Sequence, residues 1–182
     1  MTLEEIRQLP RDEVVALLAI CRKDMRFQDG FWFMNVEDTY GLDKAVEMDA
    51  AIWSRFGGYE AQLLLNTFKW EKAGIPTLVK ALARAPSWLF FDYSIDQLSE
   101  REAVLQVTKC LAQTGRLRGG RGVFACRSVE EGYLTSFARA IDATIEVTRE
   151  FGPPERYSED HWCSWRFRVG PSKDHTQGDQ PI

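Results

Sequence analysis

The sequence predicts an α+β fold: a helical N-terminal half packed on an antiparallel sheet of about four strands, with a β-β-α-β-β C-terminal half. Two observations lead there. Up to Pro86 the apolar residues recur at three- and four-residue steps, as on helices. From Leu89 they alternate instead, in two pairs of short runs separated by one more stretch of helical period. A length of 182 residues suits one domain, here 1–169, with a helical lobe over 2–86 and a sheet-containing lobe over 87–169. The tail 170–182 has no apolar pattern and is expected to be disordered.

Thr2 caps a short first helix with Glu4 and Glu5 in its first turn, and Pro10 closes it. Asp12 opens a second helix, where Val14, Leu17, Leu18 and Cys21 are spaced for one buried face; Cys21 there reads as a small core residue. Gly30 breaks the pattern. Phe31 to Tyr40 forms a helix apolar nearly all round, stopped by Gly41 as a left-handed cap. A long helix follows from about Leu42 to Lys72, kinked or divided at Gly57-Gly58. Gly74 ends it, Pro76 suits the first turn of the next helix, and Leu78, Val79 and Leu82 form that helix's inner face.

Leu89, Phe91, Tyr93 and Ile95 then mark one face of a strand, and Ala103, Leu105 and Val107 one face of a second, paired antiparallel across a turn near Ser99-Glu100. A loop carrying the basic run Arg116-Leu117-Arg118-Gly119-Gly120-Arg121 comes next. Ser128 and Glu131 make a capping box for a helix to about Ala140, with Tyr133, Leu134, Phe137 and Ile141 buried. Ile145 and Val147 belong to a third strand. His161, Cys163, Trp165, Phe167 and Val169 share one face of a fourth, opposite Trp162, Ser164, Arg166 and Arg168.

Hydrophobic residues at 45% and charged residues at 27% are ordinary for a soluble globular chain. A net charge of -4 argues against a general nucleic-acid binder, which needs a basic surface. No apolar run approaches the roughly 18 residues of a membrane-spanning helix. The start MTLEEIRQLPRDE lacks a signal peptide's basic start and apolar centre, so the expected place is the cytoplasm. There the four cysteines are expected to be free thiols or ligands.

The spacing W-x3-VE-x2-YG-x3-A-x7-W, carried by Trp32, Glu37, Tyr40-Gly41, Ala45 and Trp53, resembles a family of uncharacterised prokaryotic cytosolic proteins. VTKC at Cys110, Cys126 ahead of a helix, Gly-Pro-Pro and C-x-W-x-F at Cys163 extend that resemblance over nearly the whole chain. More remotely, over residues 89–169, it is similar to L-2-amino-thiazoline-4-carboxylic acid hydrolases and to ligand-binding domains of the four-vinyl-reductase type. The similarity to the hydrolases implies hydrolytic opening of a sulfur-containing ring, and that to the four-vinyl-reductase type implies small-molecule binding. Arg149 stands where some of the latter carry a further cysteine, a departure that counts against a metal cluster.

The residues themselves offer three chemistries. Cys110, Cys126, His161 and Cys163 could bind zinc or iron if the strand ends converge, although no C-x2-C spacing occurs; buried small thiols are the plainer account. Cys126 could be a nucleophile, its thiolate favoured by a helix N-terminus. Glu37 and Asp49, acids set among aromatic residues, could do acid/base work or orient an amine-bearing ligand, against structural ion pairs with an arginine such as Arg55 or Arg139. The Arg116–Gly122 stretch could cradle an anion or be a solvated loop.

The leading expectation is a small-molecule pocket between helices and sheet, lined by Trp32, Glu37, Asp49, Trp53, Cys126 and Cys163. The alternatives are a hydrolase of C-N or C-S bonds in a small amino-acid-like ring, using Cys126 or a carboxylate such as Glu37, and a self-associating protein whose aromatic helices form a homodimer.

Overall fold

The structure, a computed structural model, describes residues 2–170. From residue 171 the expected tail lies outside the described residues. Thr2 accepts the Glu5 backbone N–H while Glu5 accepts that of Thr2, and this reciprocal cap opens α1 (Leu3–Arg7). Pro10 leads into α2 (Arg11–Tyr40), which runs through Gly30 without a break. A single glycine costs a helix only about 1 kcal/mol against alanine, too little to break a helix of 30 residues. None of residues 2–32 is buried, and Cys21, expected in the core, is exposed. The apolar spacing there is real, but the face carrying Val15, Leu18 and Cys21 is left exposed; burial begins at Phe33 and Val36.

Gly41 turns the chain at φ 88° into α3 (Leu42–Phe68), which ends at a left-handed Lys69, short of the expected Lys72. Gly57-Gly58 does not interrupt α3. Its role is packing: a Cβ at Gly57 would stand 2.3 Å from the Tyr133 carbonyl oxygen of α6 (Arg127–Ile141). Across the same contact a Cβ at Gly132 would stand 2.9 Å from that of Ser54. The two helices approach at backbone distance because side chains are missing on both sides. Gly74, expected to end a helix, begins α4 (Gly74–Leu82).

A 3-10 turn at Pro86–Phe90 takes the place of the strand start expected at Leu89. Then come β1 (Phe91–Ser99), β2 (Glu102–Cys110), α5 (Leu111–Arg118), α6, β3 (Ile145–Phe151) and β4 (Cys163–Val169). The first half of the basic run, Arg116 to Arg118, is thus helical, and only its second half is the expected loop. Cys126 caps α6 with no side-chain bond, so the expected Ser128 cap is displaced by two residues. The sheet order is β1-β2-β4-β3, every pair antiparallel, as the α+β reading requires.

Leu105 faces Trp165 and Ala103 faces Phe167 in register, so the inner residues of the two central strands form one apolar sheet face. Leu78 and Leu82 from α4 and Leu134 and Phe137 from α6 cover that face in a single core cluster. The outer face is polar: Arg166 bonds Glu150 and Glu102, and Arg168 bonds Glu102. Trp162, expected on that outer face, is buried and stacked on Tyr157 at 5.0 Å, because the chain at 162 has not yet entered the strand.

The two adjacent glycines of α3 predict opposite outcomes. Gly57→Ala must push α6 away and should lower stability by about 2 kcal/mol, overpacking outweighing the gain in helix propensity. At Gly58 a Cβ would make only ordinary contact, 3.6 Å from the Ser136 carbonyl oxygen. Gly58→Ala should therefore raise stability by up to about 1 kcal/mol. Urea unfolding of both variants checks the pair.

Candidate functional site

Where α2, α3 and α6 meet the 3-10 turn, the end of β2 and α5, they leave a cavity of about 430 Å³. Its wall is aromatic, from Phe33, Trp53, Trp88, Phe91, Phe124 and Tyr133. Edge and tilted ring contacts fix that wall: Trp53 meets Tyr133 at 5.8 Å, and Trp88 meets Phe91 at 5.1 Å.

Three carboxylates enter this apolar space from three helices: Asp29 of α2, Asp49 of α3 and Glu130 of α6. Burial pushes the Asp49 carboxyl up to about 8, helped by the charges of Asp29 and Glu130, while a hydrogen bond from Trp53 opposes the rise. Burial lifts Glu130 to about 7, with Asp29 adding to it. Asp29 is raised too, by burial, and the same Trp53 N–H, shared between the two acids, opposes the rise. Glu130 has no hydrogen bond or ion pair among the described residues, and what access it retains is through the cavity. A carboxylate so placed sits at a high desolvation cost that a structural role would not require.

Glu37 stands outside the cavity. Arg116 donates to both its oxygens, at 2.6 and 3.0 Å, and Arg121 approaches at 3.2 Å. The Arg116 bond, ahead of all other influences, holds Glu37 below the usual carboxylate range. Arg116 also donates to the Gly122 carbonyl and lies over Phe124 at 5.1 Å. Arg121 pairs with Asp38 at 2.8 Å. Two arginines of the basic run are thus tied to the end of α2, in place of the Arg55 or Arg139 pairing considered from sequence.

A second polar group backs the cavity wall. Buried Glu60 accepts from the Ser87 hydroxyl and from Tyr133, each at 2.5 Å, and from the Ser87 backbone at 3.1 Å. Ser87 and Tyr133 both line the cavity, so this network holds two hydroxyls at its surface. Gln113, fully buried, exchanges two hydrogen bonds with the Phe124 backbone and fixes the opposite wall.

Of the residues expected from sequence, Asp49, Trp53, Cys110 and Cys126 line the cavity. Trp32 is 54% exposed and does not. Cys163 is buried behind the wall, near enough to Cys126 and Cys110 that each affects its titration. Burial pushes the Cys126 thiol up to about 11 and Cys110 to about 12, and Cys163 higher still. The helix start beside Cys126 does not overcome that burial, so a neutral thiol faces the cavity. His161 lies apart, exposed in a turn bridged to Ser158, because β4 begins at Cys163. Among the described residues no group of three or more His, Cys, Asp or Glu is arranged to hold a metal ion. Also among them, no helix is long and apolar enough to cross a membrane.

A family model matches residues 7–169, and its description is a family of unknown function, DUF6125. The chain belongs to the DUF6125 family. No curated protein matches it. The DUF6125 match takes in every cavity residue named above.

The sequence reading missed Asp29, Glu130, Glu60 and Ser87. Glu130 and Glu60 carried the same signal that singled out Asp49, an acid on an apolar helical face: Glu130 stands three residues before Tyr133, and Glu60 four after Phe56. Asp29 was hidden beside Gly30, where a break was expected.

Two outcomes follow for this DUF6125 chain. Asp49 and Glu130 are raised in the folded state, so the native protein binds more protons than the unfolded chain between their two ranges. Their contribution to stability is fully present below the unfolded carboxylate range and is lost as pH rises through about 7 to 8. The melting temperature should fall across that window. Asp49→Asn should flatten the fall and recover on the order of 3 kcal/mol at its alkaline end, as calorimetry against pH would show. In thiol titration with a disulfide reagent near neutral pH, Cys21 should react fast, the half-buried Cys126 more slowly because its thiol is held neutral, and the buried Cys110 and Cys163 slowest.

Proposed function

We propose that this protein binds a small molecule in the cavity between α2, α3, α6 and the end of β2. The observation that carries the reading is an apolar space of about 430 Å³ holding a carboxylate, Glu130, that no described residue satisfies. Cavities of this size and lining suit a ligand of roughly ten to twenty heavy atoms. The remote similarity to small-molecule-binding domains of the four-vinyl-reductase type points the same way. An exposed thiol at Cys21 fits a reducing compartment such as the cytoplasm.

Titration of 2-phenylethanol, followed by the fluorescence of Trp53 and Trp88, tests the pocket. Saturable binding is expected. Gly30→Leu should weaken it about tenfold or more without loss of helicity, because a side chain at Gly30 meets nothing within 4 Å and projects into space beside the cavity. No saturable response with this probe or its amine counterpart, or a response indifferent to the substitution, would contradict the reading.

A second reading, hydrolysis of a C-N or C-S bond in a small amino-acid-like ring, is favoured by the carboxyls of Glu130 and Asp49. Groups held at about 7 and about 8 can both give and take a proton near neutral pH. In this reading the acid/base work passes from Glu37, locked by Arg116, to the cavity carboxyls, and the Cys126 thiol, pushed up to about 11 by burial, rests neutral. Opening a 2-aminothiazoline-4-carboxylate ring at its C-S bond frees a thiol. Substrate consumption above background that disappears in Glu130→Gln would support hydrolysis, with thiol release marking the C-S bond as the one opened, and no consumption would sink it. Self-association would instead use the uncovered half of α2, where Val15, Leu18, Phe31 and Trp32 are exposed; a single monomeric species in sedimentation velocity at high protein concentration would exclude it.

A further inference from the structure

We propose that the ligand carries a single cationic nitrogen, an amine or amidine, seated among Asp29, Asp49 and Glu130 with its apolar body against the aromatic wall. This rests on the cavity being the ligand site and goes further by naming the charge that site selects. Three carboxylates on three separate helices face one largely apolar space. Ordinary structural acids in such a place are satisfied by an arginine, as Glu37 is by Arg116, or by hydroxyl and backbone donors, as Glu60 is by Ser87 and Tyr133. Asp29 and Asp49 receive only the Trp53 side chain, and Glu130 receives no hydrogen bond or ion pair among the described residues.

The cations already present do not meet this need. Arg116 is committed to Glu37, to the Gly122 carbonyl and to Arg121. Arg26 of α2 also lines the cavity, with its guanidinium stacked over Phe27 at 4.7 Å, and Arg118 of α5 is exposed. Neither forms an ion pair with the three acids among the described residues. A divalent metal is a poor candidate, since no group of three or more ligating residues there is arranged to hold one. The aromatic wall suits an organic cation instead: Arg116 lies over Phe33 at 5.6 Å and over Phe124 at 5.1 Å, so two of its rings already accept positive charge.

Binding should also release protons. Near neutral pH part of the carboxyl set is protonated and uncharged, because burial and the charge of neighbouring acids disfavour the carboxylate forms. Of the other titratable groups facing them, Cys110 and Cys126 stay neutral, as does Tyr133. An arriving cation favours the carboxylate forms, so a proton leaves for bulk water as the ammonium enters.

Three probes of one shape separate the possibilities: 2-phenylethylamine, 2-phenylethanol and 3-phenylpropionate, titrated calorimetrically into the full chain. The amine should bind about tenfold or more tighter than the alcohol, and the propionate should not bind. The heat should vary with the buffer's ionisation enthalpy, with protons released. Affinity for the amine should rise as pH rises through about 7 to 8. Glu130→Gln and Asp49→Asn should remove the amine's advantage while alcohol binding persists, which also shows that the variants are folded. Equal binding of amine and alcohol by the wild type would overturn the cation and leave the pocket standing. Tight binding of the propionate would overturn it too. Binding by none of the three would overturn both.

Discussion

The cavity exists because α3 and α6 touch backbone to backbone. With no side chain at Gly57 or Gly132, the two helices close to the point where the Tyr133 carbonyl meets α3. That contact sets the height of four cavity groups at once: Asp49 and Trp53 two turns and one turn before Gly57, and Glu130 and Tyr133 at the facing end of α6. It also places Tyr133 within reach of Glu60, which then captures Ser87 and anchors the turn ahead of the sheet. A larger residue at Gly57 would move this whole set rather than one atom.

A second constraint closes the other side. α2 is long and mostly uncovered, and it is held where the site needs it by its last turns. Phe33, Val36, Ala45 and Phe124 form a small separate core, and the bidentate Glu37–Arg116 pair clamps α2 to α5 beside it. Between the two anchored sides the cavity stays open, and the acids within it stay unneutralised. The fold therefore spends its arginines at the rim and its hydroxyl and backbone donors behind the wall, leaving the charge in the cavity for something else.

The architecture was legible because periodicity is local. The switch from helical to alternating spacing near Pro86 belongs to the chain itself, and the antiparallel sheet follows from it. Glycines misled for the opposite reason. Gly30 and Gly57-Gly58 look like breaks along the sequence, yet the reason for Gly57 lies on α6, more than seventy residues away. The cover over a helical face is equally non-local, so Cys21 looked buried and is not. Asp49 and Trp53 were readable as an acid and an aromatic on one face, whereas the Glu37–Arg116 pairing spans 79 residues and leaves no mark in the spacing. Cys126 was correctly placed at the start of a helix, but its burial, which decides its chemistry, depends on elements far along the chain.

The central claim is that Asp49 and Glu130 face the cavity unneutralised. Carboxyl-carbon NMR of the ligand-free protein, titrated against pH, measures this directly. Midpoints of about 8 for Asp49 and about 7 for Glu130 are expected. Midpoints for both groups at the ordinary carboxylate value of about 4 would show that water or a hidden partner already satisfies them, and would contradict the account.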